Sequence, residues 1–384
     1  MKFKVASTTF LQQLSAVNKI INGKNALSIL DNFLLTLKDG VLTITGSDQE
    51  NTMTATVDTL ESEGEGSMAV NAKRLLEMLK EVSGQPLTFA VDESSYRIDI
   101  DFLNGHFAFM GIDGSEYPSL GVFPEEATSF AMPAAVVQKG IENTIFAAGT
   151  EIIRPVMTGV FWDICRPDAE GNPTPGITFV ATDTHKLVRY INTEANPGIT
   201  SSFIMPPKPA NILRSLIGKE DGDISVELYE KNATFRFGRY TLSCRFINGR
   251  YPDYNRVIPR ENPFELIIDR VSMLNAVRRM SLFASQASSL VKMRLAENEV
   301  ELTSQDMDYN TAAEEKVTCS YSGNEMVIGF NADYLIEVLA NLPGDTVKIR
   351  LSDPARPGIF TPEEPLENAD LLILLMPMQV NDSI

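Results

Sequence analysis

Reactive and metal-binding side chains are scarce in this sequence, and positive charge is outnumbered. Its 384 residues include three cysteines, two histidines and one tryptophan. Cys165, Cys244 and Cys319 stand far apart with no C-x-x-C spacing. Neither a disulfide framework nor a zinc site is indicated, and buried free thiols in a reducing cytosol are expected. The histidines are His106 and His185, and the chain carries no phosphate-binding loop, dinucleotide fingerprint, nucleophile elbow or H-E-x-x-H pattern. Most enzyme classes therefore lack their reactive groups here. What remains is a hydrolase built on Asp183 and His185, an i, i+2 pair that would share one side of a strand. It has no third ligand for a metal, and no cofactor or metal is expected.

Long hydrophobic runs are missing too. The longest, Leu371 to Met376, falls far short of the roughly 20 residues of a membrane-spanning helix and reads as a buried strand. The opening Met1-Lys2-Phe3-Lys4-Val5 turns polar by Ser7 to Thr9 and has no apolar export core. A cytoplasmic protein with no membrane partner is the expectation. Thirty-three Lys and Arg face 51 Asp and Glu, for a formal charge of -18, which argues against gripping nucleic acid through general basicity.

What the chain does have is internal repetition. An apolar-periodic stretch that reads as a helix occurs three times, at Phe10 to Ile21, Val136 to Phe146 and Met273 to Phe283. A strand pattern ending in aspartate follows each: Leu42 to Asp48, Ile177 to Asp183 and Val300 to Asp306. Then comes a strand leading into a second helix, around Leu75 to Leu79, Ile212 to Leu216 and Leu335 to Leu339. The landmarks agree on a unit of about 125 to 135 residues, the size of a domain and not of a solenoid repeat. Pro- and acid-rich joints near Phe123-Pro124-Glu125-Glu126 and Pro259-Arg260-Glu261-Asn262-Pro263 divide the chain into domains 1–124, 125–260 and 261–384. Each would be an α+β layer of two helices on antiparallel sheet.

Charge is distributed unevenly over this pattern. Five of the six helix windows are neutral or positive and the six together are net positive, although the whole chain is strongly acidic. Helices gathered on one face could meet phosphates while an acidic outer face repels stray DNA.

Four segments carry a family resemblance: Met1-Lys2-Phe3 with Leu27-Ser28-Ile29-Leu30-Asp31-Asn32; Ala181-Thr182-Asp183-Thr184-His185-Lys186-Leu187; Gly249-Arg250-Tyr251-Pro252-Asp253-Tyr254 with Arg256-Val257-Ile258-Pro259; and Met376-Pro377-Met378. In this order, on a threefold repeat, they make the chain resemble the β subunit of bacterial DNA polymerase III, the sliding clamp, over nearly its whole length. The resemblance implies a non-catalytic processivity factor. Two subunits would join head to tail as a homodimeric ring of six similar domains, with twelve helices lining a hole. Twelve helices at roughly 10 Å spacing give a circle about 38 Å across at their axes and about 28 Å of clear hole. Topology would hold encircled duplex DNA without sequence-specific or tight contacts, so net acidity is no objection.

The resemblance also implies sites. A partner cleft between the second and third domains, receiving linear peptides from DNA polymerases and the clamp loader, maps to Met157, Thr182, Thr184, His185, Lys186, Leu187, Pro252, Arg256, Val257, Leu374, Met376 and Met378. Met, Leu, Val and Pro suit an adaptable apolar pocket, with Arg256 and His185 to orient the peptide. Thr184 stands where the family often has Gly and Lys186 where it often has Arg, and Asn381 to Ile384 extends past the usual end, where it would partly overhang the cleft. Ring closure maps to Phe107 and Phe109 on an edge strand and to Leu282 and Phe283 at a helix end. The DNA-facing candidates are Lys24, Lys73, Arg74, Lys208, Arg278 and Arg279. The alternative to a ring is a monomeric peptide-binding scaffold.

Overall fold

The computed structural model describes residues 1–23, 25–82, 84–118, 126–167, 174–218 and 222–380. Among them are six α-helices and three sheets of five, nine and twelve strands. The repetition in sequence is a repetition of topology, for each third runs strand, helix, four strands, helix, three strands, and the first adds two short strands. The first helices of the thirds are α1 (Ser7–Val17), α3 (Ala134–Glu142) and α5 (Arg270–Ser281). The second ones are α2 (Ala72–Glu81), α4 (Pro207–Ile217) and α6 (Ala332–Asn341). All six expected helices are present, each within a few residues of its window.

Local chemistry explains why strand passes directly into helix. The residue that ends the strand caps the helix: Asn71 accepts from the Arg74 N–H, Asp269 from Ser272, and Asn331 from Asp333 and Tyr334. Each cap satisfies donors that have no partner within the helix and contributes about 1 kcal/mol. The helices then bury residues at i, i+3 and i+4 spacing, Phe10, Leu14 and Val17 on α1 and Leu335, Val338 and Leu339 on α6. Aromatic contacts fill the space beneath them. Phe3 stacks on Phe89 at 4.8 Å with Phe10 edge-on at 5.4 Å, and Trp162 lies 4.6 Å from Phe179 and 5.1 Å from Phe203.

The chain forms two compact units, Met1–Gln138 with Lys208–Phe246, and Lys139–Pro207 with Ile247–Ile384. The five- and nine-stranded sheets belong to the first and the twelve-stranded sheet to the second. The division passes through the central third because its sheets are shared with both neighbours. Strand Asn51–Asp58 pairs with Tyr240–Arg245 in the first unit, and Lys186–Asn192 pairs with Ala369–Leu375 in the second.

Cys165 and Cys244 are buried free thiols as expected, but Cys319 is only half-buried. It sits in strand Thr311–Ser322, at the point where pairing passes from strand Glu299–Asp306 to strand Phe264–Asp269. Burial raises the pKa of all three thiols. No described helix is long and apolar enough to cross a membrane.

Candidate functional site

The twelve expected cleft residues all belong to the second unit. Strand register brings several of them together. Thr182 stands opposite Leu187, Leu187 opposite Leu374, and Leu374 opposite Ile359, across four adjacent strands. Directly opposed residues point to the same face, so these four form a row. Leu187, Leu374 and Ile359 join Val180, Ile204, Leu372, Tyr251 and Tyr254 in one buried cluster, with Val156, Phe161 and Ile258 packed at its margin. Tyr251 stacks on Phe161 at 4.6 Å. Gly249 is required for that placement, because it has φ +134° and a Cβ there would lie 2.6 Å from Val156.

Exposed residues border this floor. Met376 is 41% and Val257 54% exposed, high values for large apolar side chains. Met376 begins where the buried strand ends, so the apolar run from Leu371 is core only as far as Leu375. Pro252 is exposed, and Met157 and Met378 are half-buried. The Met376 N–H donates to the His185 carbonyl at 2.9 Å and the Met378 N–H to that of Gly329 at 2.8 Å. Arg256 is well exposed and donates from Nε to Asp253 at 3.0 Å, leaving other guanidinium donors for a ligand.

The turn from Asp183 to Lys186 is held from within. Asp183 Oδ1 accepts the backbone N–H groups of His185 and Lys186 at 2.9 and 2.8 Å. Its other oxygen is 2.5 Å from Lys186 Nζ, which also lies 2.9 Å from Glu337 and 4.6 Å from the centre of the Tyr334 ring. Lys186 is 4% exposed. Burial pulls its pKa down, but the hydrogen bonds it donates to Asp183 and Glu337 outweigh that and leave it above the ordinary lysine value. The His185 ring stacks on Tyr334 at 5.2 Å. Thr184, at the tip, has φ +81°, a region that favours glycine. Tyr334 and Glu337 lie about 150 residues along the chain from the turn, and no local motif in the sequence pointed to them.

This arrangement leaves nothing for acid–base chemistry. The Asp183 carboxylate is committed to the turn and to Lys186, and the His185 ring faces Tyr334 instead of the carboxylate.

The remaining candidates fall on both units. Phe107 and Phe109 are half-buried on strand Gly105–Met110, at the edge of the five-stranded sheet. Leu282 and Phe283 follow α5 and are 80% and 38% exposed. Lys73, Arg74 and Arg278 are exposed helix residues. Lys208 instead reaches the Ile20 carbonyl, Asn22 and Asp48 within 2.6 Å, and Arg279 forms a two-pronged pair with Glu315. Those two cations are already engaged within the chain. Lys24 and the Asn381 to Ile384 extension lie outside the described residues.

Comparison with known proteins covers nearly the whole chain. Family models for the DNA polymerase III beta subunit match as the N-terminal domain over residues 1–121, the central domain over 131–253 and the C-terminal domain over 255–379. The beta sliding clamp of Salmonella typhimurium is 28% identical over 354 residues, covering 92% of this chain and 93% of that protein. That of Staphylococcus epidermidis is 27% identical over 377 residues, covering 95% and 96%. A DnaN sliding clamp from Bartonella birtlesii, solved bound to griselimycin, superposes with a TM-score of 0.90 at 25% identity, covering 99% of this chain and 100% of that one.

Proposed function

This chain belongs to the DNA polymerase III beta subunit family, the sliding clamps, and we propose that two copies close head to tail around duplex DNA. It is a non-catalytic processivity subunit that acts in the cytoplasm, with domains 1–124, 125–260 and 261–384. Its cleft receives linear peptides from DNA polymerases and the clamp loader. DNA is held without sequence preference, and Lys73, Arg74 and Arg278 are the strongest candidates to face it.

Repetition supports ring closure. In the first third, the third strand of the four-strand group, Asn51–Asp58, pairs with Tyr240–Arg245, the last strand of the second third. In the second third, Lys186–Asn192 pairs likewise with Ala369–Leu375, the last strand of the final third. The pattern leaves Thr311–Ser322 and Gly105–Met110 without such partners. An open edge strand needs protection or a partner, and a second copy supplies it twice. One chain closing on itself would put six helices on a circle about 19 Å across at their axes, leaving roughly 9 Å clear, too little for a duplex.

The cleft reading rests chiefly on one observation: Met376 stands exposed two residues past Leu374 of the buried row, and Arg256 and Val257 stand exposed between Tyr254 and Ile258, which pack in the same cluster. An adaptable apolar trough with a charged rim suits a short peptide carrying apolar anchors. Fluorescence anisotropy with a polymerase-derived peptide tests it. Saturable binding that is lost on Met376→Ala with Arg256→Ala is expected, and unchanged binding in that variant would move the peptide elsewhere.

A further inference from the structure

The two junctions inside the chain define a register as well as a partner. Leu242 stands opposite Met53 at the first and Ile373 opposite Val188 at the second. Met53 and Val188 are equivalent, since each pairs with the residue two before a repeated aspartate, Gly46 before Asp48 and Ala181 before Asp183. Their counterpart in the final third is Ala313, which pairs with Ser304, two before Asp306. On the other side, Leu242 ends the cross-strand row Phe130, Val226, Phe235, Leu242. Ile373 ends the row Leu266, Ile349, Phe360, Ile373. The matching row in the first third is Phe3, Phe89, Ile100, Phe107. Phe107 is therefore the counterpart of Leu242 and Ile373, and Ala313 its partner.

Side-chain alternation agrees. On Gly105–Met110 the odd residues are half-buried and the even ones more exposed; on residues 311–316 the even ones are exposed, and Ala313 and Glu315 are half-buried. Glu315 is bonded to Arg279 of α5, so the odd face of that strand is the one that carries α5, with Leu282 and Phe283 at its end. Pairing Phe107 with Ala313 keeps Phe107 and Phe109 on that side. A slip of one residue would turn both outward.

We propose that in the closed ring His106 of one copy stands opposite Glu314 of the second, in the antiparallel ladder that sets Phe107 against Ala313, so that a histidine–carboxylate pair spans each seam. The inference rests on the reading above that the ring closes through these two strands. His106 already lies 2.8 Å from Asp101 and 3.0 Å from Asp99, and Asp99 also takes Arg97. Two positions past Glu314, Lys316 is held by Glu299 and more distantly by Glu301. The Asp101 hydrogen bond, opposed by partial desolvation and supported by the charges of Asp101 and Asp99, raises the His106 pKa. A third carboxylate at the seam favours the protonated ring further. Association therefore strengthens as pH falls through the His106 pKa and weakens as pH rises through it.

Two measurements test this. With the wild-type chain as the control for its own cysteines, mild oxidation of Ala108→Cys/Ala312→Cys should yield a covalent dimer, because those positions are directly opposed on the outer face. Ala108→Cys/Glu314→Cys should yield far less. A dimer by light scattering that cross-links only in the second variant overturns the register and leaves the ring intact, whereas a wild-type chain that stays monomeric overturns the ring itself. In the second measurement, the dimer dissociation constant should be roughly two- to thirtyfold lower near pH 6 than near pH 8, the range expected of two cross-strand charge pairs, one at each seam. Glu314→Gln should flatten that dependence. An undiminished pH dependence in Glu314→Gln would show that His106 does not meet Glu314.

Discussion

Replacing Lys186 with methionine separates a buried cation that shapes the cleft from one that merely fills space. The substitution keeps the length of the apolar stem but removes the charge that joins Asp183, at 2.5 Å, to Glu337, at 2.9 Å. Breaking a fully buried pair costs about 3 to 5 kcal/mol because the surviving charge is left without compensation. Asp183 is 15% exposed and keeps two backbone N–H donors, and Glu337 is 48% exposed and rehydrates readily. These features bring the expected loss to about 2 to 3 kcal/mol, nearly all of it from Asp183. For a cooperative unit of this size that corresponds to a fall in melting temperature of roughly 5 to 10 °C. Glu337→Gln, which removes only the more exposed partner, should cost less than about 1 kcal/mol. Thermal melts followed by circular dichroism, alongside peptide anisotropy, would read both effects. Peptide affinity should fall in the methionine variant, because the turn that aims His185 loses its anchor. Equal melting temperatures for the two variants would refute the assignment of Lys186 as the anchor.

Other outcomes follow from the same geometry. Leu282→Asp or Phe109→Asp places a charge in an apolar seam and should give folded monomers, checked by light scattering with circular dichroism; an unchanged mass in both would remove these residues from the seam. Met376→Ala with Arg256→Ala should weaken peptide binding by about 2 to 4 kcal/mol without lowering the melting temperature, whereas early melting would make Met376 a core residue. Thr184→Gly relieves a β-branched residue at φ +81° and should stabilise the second unit by about 1 kcal/mol after the entropy of glycine is subtracted; a loss of stability in denaturant titration would show that the strain is offset elsewhere.

Several features of the fold were legible in the sequence because they are local. Helix periodicity and the recurring aspartate gave three copies of one topology, and alternation placed Leu42 to Asp48 and Val300 to Asp306 on strands, of which the first ends at Ser47 and the second runs through Asp306. The cleft segments were found through family resemblance, since composition alone would assign Leu374 to the core, where it also lies at 3% exposed. The partners of Lys208 and Arg279 were not legible. Asp48 and Glu315 reach those cations only through tertiary packing, so helix charge overstated how many basic groups remain for phosphates. Tyr334 and Glu337 escaped for the same reason, as did the register of the seam, which needed the pairing of both internal junctions.

Retention on nicked circular DNA after loading, followed by linearisation, separates encirclement from binding by contact. A ring held by topology stays on the circle through a high-salt wash and leaves once the DNA has ends. Release by salt from the circle, or retention on the linear form after cutting, would mean that the protein binds DNA by contact and does not encircle it.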